Sequence, residues 1–258
     1  MADSKLKIDI RRDRILEQLR QKGKVLVSEL SRELGATPVT IRNDLDALER
    51  DGYLVRIQGG ALLRSRPAAE WSGEQEVIVH LAEKQAIAHA VAAQIPDGST
   101  LFLNSGTTSH CLAAALKEHR SLNVVTNSLA VATELGRSPL IHVILLGGEI
   151  NTQYSFTYGS DAEDQLRRYQ ADWAVLSVDG VSAKGGVTSF HAEETSIDRM
   201  MIAHAKHTII AADYTKIGRT GFTHICDAGP NIQLVTDRRC SSEAARELEQ
   251  LGVAVDIV

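Results

Sequence analysis

The sequence contains three cysteines in 258 residues, Cys111, Cys226 and Cys240. Their number is odd and their spacing fits neither a disulfide framework nor a metal knuckle, so buried thiols are expected. No apolar run reaches the roughly 18 residues needed to cross a bilayer, and the opening MADSKLKIDIRRDR has no apolar signal-peptide core. A cytoplasmic location is therefore expected. GxGxxG after the first strand and GxxxxGK[ST] are both missing, which argues against nicotinamide or ATP chemistry, and no cofactor is expected. There is no internal repeat.

What is present is an ordinary globular composition with 24% charged residues and scattered Val and Ile, which argues against disorder. The net charge of −5 hides an asymmetry. Residues 1–66 carry 14 Lys or Arg against 10 Asp or Glu, whereas residues 67–258 carry 14 against 23. A small basic head on a larger acidic body suits a polyanion-binding module joined to one of another kind.

Within the head, DIRRDRILEQLRQKG places Ile15, Leu16 and Leu19 on one helical face and stops at Gly23. KVLV is a strand candidate. Ser28 is expected to cap a short second helix, SELSRELG, with Leu30 and Leu34 one turn apart. After the GATP turn, Thr37 suits an N-cap and Pro38 the first position of a third helix running to Gly52. Ile41, Leu45 and Leu48 would fill the small core, leaving Val39, Thr40, Arg42, Asn43 and Asp46 outward. GYLVRIQGGA reads as two strands ending in glycines, a wing whose Arg56 and Gln58 could meet phosphate or the minor groove. A helix, tight turn and second helix in this order can present the second helix to a major groove. The candidate DNA contacts are Ser28, Thr37, Val39, Thr40, Arg42, Asn43, Arg56 and Gln58. Asn43 is the candidate reader of a base edge, adenine being the usual partner. A wet helical dimerisation domain is the plainer alternative.

LLRSRPAAEWSGEQEVIVH has no sustained period and reads as a linker over 67–79. From residue 80 onward, apolar strands alternate with helices, which implies a mainly parallel sheet covered on both faces. Ligands of such sheets bind beyond the carboxyl ends of the strands. Short polar residues gather there: Asn104, Ser105, Gly106, Thr107 and Thr108 at a helix start, then Thr126 and Asn127, Gly147 and Gly148, Asp179 and Gly180, and Asp213 to Lys216. The helix start offers free N–H groups to an anion, so a pocket for a phosphorylated small molecule is expected.

Along its length the head resembles the winged helix-turn-helix of the DeoR family of bacterial transcriptional regulators. Residues 80–258 resemble that family's effector domain through SGTT, VVTNSL, LLGGE, YGSDAE, VDGV…GGVTS, the helix of Glu194 and ADYTKIGR. The spacing around FTYGSDAE and GGVTSFHAEE is similar to the branch of N-acetylgalactosamine utilisation repressors. The resemblance implies a small winged helix-turn-helix domain followed by an α/β domain of the sugar-phosphate isomerase and CoA transferase fold. It further implies that residues 105–108 hold a sugar phosphate while Asn127, Gly148, Asp179, Glu194 and Lys216 line the sugar side. The expected function is repression of a carbohydrate-utilisation operon, with double-stranded operator DNA, a phosphorylated sugar and a second copy of the chain as partners, in a homo-dimer or homo-tetramer.

Two alternatives remain at this level. One is a sugar-phosphate isomerase or amino-sugar-phosphate deaminase with a regulatory head, using Asp179, Glu194 or His191 to move a proton. Family members often have Asp where this chain has Asn104, and an amide can bond a sugar hydroxyl without serving as a base. The other is a ligand-independent DNA-binding protein. No metal site is expected: His204 and His207 are read on one helix face but lack a third ligand, and the remaining histidines are scattered.

Overall fold

The computed structural model describes residues 2–22, 24–50, 54–63, 80–152 and 154–258. The expected linker over 67–79 and the helix stops at Gly23 and Gly52 lie outside the described residues. The chain divides into two units, the second beginning at His80.

The N-terminal unit contains α1 (Ala2–Lys22), β1 (Lys24–Leu26), α2 (Val27–Glu33), α3 (Pro38–Arg50), β2 (Leu54–Ile57) and β3 (Gly60–Leu63). Its three strands form an antiparallel sheet in the order β1-β3-β2. Ile15, Leu16 and Leu19 from α1, Leu30 from α2, Ile41, Leu45 and Leu48 from α3, and Leu54 and Ala61 from the strands make one core. The apolar spacing read from the sequence is therefore the packing that forms. A buried carboxylate adds to it: Asp44 on α3 receives Arg11 at 2.5 Å and Arg12 at 3.1 Å from α1.

The second unit is built on seven parallel strands, β4 (Thr100–Leu103), β5 (Leu122–Thr126), β6 (Ile141–Leu145), β9 (Ala171–Leu176), β12 (Ala205–Ala211), β14 (Ile232–Thr236) and β15 (Ala254–Ile257). Their order is β15-β14-β12-β9-β4-β5-β6. The helices are α4 (Leu81–Ala92), α5 (Thr107–Leu116), α6 (Leu129–Leu135), α7 (Ser160–Leu166), α8 (Ala192–Ala203) and α9 (Ser242–Gln250). Phe102, Val125, Ala174, Leu176, Ile210 and Leu234 share one cluster with Ala162 and Leu166 of α7 and Ile197 and Met201 of α8. α4, α5 and α6 pack in series, α4 against β12 and β14 and α6 against β5 and β6. Strands covered in this way become nearly continuous apolar runs.

Two small antiparallel additions were not expected from the alternating pattern. β7 (Glu149–Asn151) pairs with β8 (Phe156–Tyr158), and β10 (Gly180–Ser182), β11 (Gly186–Ser189) and β13 (Thr223–Cys226) form a three-stranded sheet. They are too short to show a period. Other expectations are corrected. α8 ends at Ala203 and β12 begins at Ala205, so His204 ends the helix and His207 lies on a strand beside Trp173. They do not share a helix face. All three thiols are free, but only Cys111 is buried; Cys226 and Cys240 are half-buried.

Candidate functional site

On the N-terminal unit, Thr37 caps α3 by accepting the Thr40 N–H at 3.2 Å, and the two hydroxyls lie 2.8 Å apart. With Ile41, Leu45 and Leu48 turned inward, Val39, Arg42 and Asn43 stand exposed on the opposite side, and Thr40 is half-buried. Val39 is 62% exposed, an apolar side chain offered to a partner at the helix start. Gln58 is exposed in the turn between β2 and β3.

One expectation changes here. Ser28 lies inside α2, whose N-cap is Leu26 without a side-chain bond, so its exposed hydroxyl caps nothing. Arg56 is half-buried on β2: its backbone N–H donates to Glu49 at 2.7 Å, and its guanidinium lies 3.5 Å from the exposed Asp46. The backbone bond to Glu49 ties this strand to α3.

In the second unit the strand order reverses between β4 and β9, which is where ligands of parallel sheets bind. Asn104 follows β4 and bridges this divide. Its amide donates to the Ser177 carbonyl and to Asp198, both at 2.9 Å, while its oxygen accepts from Ser177 N–H at 2.8 Å and Ser109 Oγ at 3.0 Å. Both donors and both lone pairs are used, so the ligand bond expected of Asn104 is not available. The side chain is a bracket holding two loops together.

That bracket sets the loop 104–108 against the end of β9. Gly106 is the N-cap of α5 with φ +119°, and a Cβ there would lie 2.7 Å from Ser177 Oγ. Only glycine satisfies both the backbone angle and the approach. The first-turn amides of α5 have no acceptor inside the helix and carry its positive dipole end. Gly106 is exposed, Thr107 half-buried and Thr108 buried, so this end of the helix opens outward at Gly106 and Thr107.

Below the loop, Glu194 is 4% exposed and accepts from Ser105 N–H at 3.2 Å and Asn127 Nδ2 at 2.8 Å. Asn127 Oδ1 is buried without a hydrogen-bond partner among the described residues. Asp198, one turn along α8, is also buried. Burial pushes Glu194 above the ordinary carboxylate range, and burial together with the charge of Glu194 pushes Asp198 well above it. Both carboxyls are therefore harder to ionise than ordinary ones, Asp198 the more so.

Asp179, after β9, behaves oppositely. Burial raises its pKa, but Lys216 at 3.7 Å, the Phe190 N–H at 2.9 Å and the nearby His191 and Arg219 outweigh that and hold it below the usual range. Asp213, after β12, is likewise held low: burial is overcome by Lys84 and Lys216 and by Thr215. A carboxylate held ionised by cations and amides is a poor proton acceptor, which disfavours Asp179 as a base. The His191 ring lies 4.0 Å from that of Tyr154, centroid to centroid. Gly147 and Gly148 have packing roles, Gly147 N–H donating to Gln165 at 3.0 Å while a Cβ on Gly148 would meet the Tyr158 carbonyl at 2.5 Å. Gly180 is buried in β10 against Arg219 and Thr188.

The structure thus brings together residues 104–108, Asn127, Glu194 and the end of β9 with Asp179 and Lys216. Asp198, Ser109 and Ser177 belong to this network and were not singled out in the sequence. Asp198 was signalled by its place one helical turn after Glu194; the two serines carry no such signal. Among the described residues no cluster of His, Cys, Asp or Glu is placed to hold a metal, and no helix is long and apolar enough to cross a membrane.

Comparison with known proteins agrees with this architecture. Residues 11–66 match the family profile described as DeoR-like helix-turn-helix domain, and residues 79–238 match DeoR C terminal sensor domain. A protein of Escherichia coli O157:H7 named as a transcriptional repressor of the aga operon is 32% identical over 96% of this chain and 93% of its own. The glycerol-3-phosphate regulon repressor of Escherichia coli K12 is 33% identical over 90% of this chain and 97% of its own. The repressor GlcR of Bacillus subtilis is 31% identical over 93% and 92%. Among solved structures, ribose 5-phosphate isomerase A of Methanocaldococcus jannaschii aligns with 52% of each chain at 15% identity and a TM-score of 0.38. Matched by both profiles and by full-length relatives, the chain belongs to the DeoR family of transcriptional regulators.

Proposed function

We propose that this protein represses a carbohydrate-utilisation operon in the cytoplasm, and that a phosphorylated sugar bound at residues 105–108 modulates its grip on operator DNA. In this reading residues 1–66 bind DNA, 67–79 link the domains and 80–258 bind the effector. The observation that carries it is the helix start at Gly106: unpaired first-turn amides, a glycine with no side chain to block them, and a position at the reversal of strand order. The phosphate would meet the amides of Gly106, Thr107 and Thr108 and the Thr107 hydroxyl. Asp179 and Lys216 would take the sugar side. Ser105 gives both its N–H and its hydroxyl to Glu194, so its part in the loop is to hold the helix start in place. One relative is named for a regulon of a phosphorylated three-carbon compound, which supports the phosphate reading.

On DNA, Val39, Arg42 and Asn43 form the exposed face of α3, and a single recognition helix per chain favours a homo-dimer or homo-tetramer on a two-fold operator. The test is a thermal-shift panel of sugar phosphates, amino-sugar phosphates included, followed by addition of the binder to an operator-binding assay. Thr107→Ala is expected to weaken the shift about tenfold in affinity, the worth of one hydrogen bond to a charged group, while DNA binding without effector is kept. An unchanged affinity would remove the loop from the pocket.

A further inference from the structure

Lys216 faces Asp179 from a 3₁₀ turn, Tyr214–Lys216, that follows β12. The other side of this turn is held by the first residues of the second unit. Lys84, in the first turn of α4, places Nζ 3.2 Å from Asp213 Oδ2, and both side chains are more than nine-tenths buried. Asp213 in turn caps the 3₁₀ turn, its Oδ1 accepting from the N–H and hydroxyl of Thr215. Glu83 pairs at 2.8 Å with Arg239, whose guanidinium lies 3.8 Å from the centre of the Tyr214 ring. The His80 ring meets the edge of Tyr214 with centroids 5.3 Å apart.

His80 is also the residue at which the chain enters this unit, directly after the 64–79 segment. Its φ of +57° is left-handed, a conformation that non-glycine residues adopt only where their surroundings hold them. A buried ion pair, the His80–Tyr214 ring contact and the Glu83–Arg239 pair laid on Tyr214 thus join the entry point of the chain to the turn that carries Lys216. Removing one partner of a buried pair leaves an uncompensated charge. A movement of the turn that displaced Asp213 would therefore have to move Lys84 with it.

We propose that Lys84 is a positioning residue that acts through Asp213 and the 3₁₀ turn on Lys216, so that the state of the pocket is transmitted to residues 80–88 where the chain arrives from the DNA-binding domain. The proposal rests on the reading of Asp179 and Lys216 as part of the effector pocket. Linkage requires the path to work in both directions: a change at Lys216 alters the helix start, and a change at Lys84 alters the turn. A contact serving only to hold the fold together would change stability everywhere and show no such reciprocity.

Amide hydrogen exchange on the full-length protein tests this without a ligand. Lys216→Met is expected to speed exchange of amides 84–88 at least threefold. Lys84→Met is expected to do the same at 214–217, while amides 101–103 in β4 stay unchanged in both. Lys84→Arg should restore the turn. Unchanged exchange at 84–88 in Lys216→Met, or acceleration spread equally over β4, overturns the proposal. Should Lys84→Met fail to fold, His80→Ala takes its place with the same expectation at 214–217, and its silence would count equally against the proposal. A separate arm adds fructose 6-phosphate and galactosamine 6-phosphate to the wild type. If neither alters exchange at 105–109, those two effectors fail while the coupling stands or falls on the ligand-free arms.

Discussion

Asp198 shows how a single residue can set the pH response of the molecule. Its pKa is raised by burial first and by the charge of Glu194 second. The native state therefore binds this proton more tightly than the unfolded chain does. Stability from this source is complete below the unfolded carboxylate value near 4 and is lost as pH rises through the native value. Asp198→Asn keeps an acceptor for the Asn104 amide and carries no charge. It is expected to raise the melting temperature, by more at pH 8 than at pH 5, as followed by thermal denaturation; equal shifts at the two pH values would refute the assignment. Asp179 and Asp213 act with the opposite sign, since their stabilisation is present above the unfolded value and lost as pH falls through the depressed native one. At Gly106, an alanine must adopt φ +119° and press on Ser177. A cost of about 1–3 kcal/mol is expected in denaturant unfolding of Gly106→Ala, together with loss of effector binding. The glycine and the loop it serves could be read from the sequence, because a strand followed by SGTT and an alanine-rich helix is a local signal. The saturation of Asn104 could not: three of its four partnerships reach residues 73 or 94 positions away.

Among the elements, α3 was the most legible. Thr37, Pro38 and the apolar spacing of Ile41, Leu45 and Leu48 are local instructions, and the structure follows each of them. The contacts of Arg56 with Glu49 and Asp46 could not be read, because both lie on a neighbouring element, where one-dimensional spacing carries no information. If Asn43 reads a base, Asn43→Ala should cost about 1–3 kcal/mol and relax preference at one operator position. Arg42→Ala, in contrast, should weaken all sequences alike and reduce the salt dependence of binding by about one counterion. Titration of a mutated operator series at two salt concentrations separates the two, and identical profiles would contradict the division of roles. The hairpins β7–β8 and β10–β11 were missed because three or four residues are too few to establish a period of two.

For the whole molecule, the core around Ile15, Ile41 and Leu45 and the core around Phe102, Leu176 and Ile210 are distinct sets of residues. Residues 80–258 expressed alone are expected to retain a cooperative melting transition and its response to sugar phosphate while losing sequence-specific duplex binding. Operator binding by that fragment would sink the assignment of the head. The charge asymmetry and the alternation of strand and helix made the division into two units readable from composition and pattern. The order of the strands was not readable, because β4 pairs with β9 across about 70 residues and no local feature of either strand names its neighbour.

That order also bears on how the sheet is made. Read in the sequence of synthesis, β4 comes first, β5 and β6 add successively on one side, and β9, β12, β14 and β15 add successively on the other. Every large-sheet strand after β4 thus meets an edge already present, and none has to insert between two neighbours. Parallel pairings are slow to form because long loops must close before contacts reward them. Outward growth from β4 limits that delay to one crossover at a time, with the closure from β6 to β9 the step most exposed to delay.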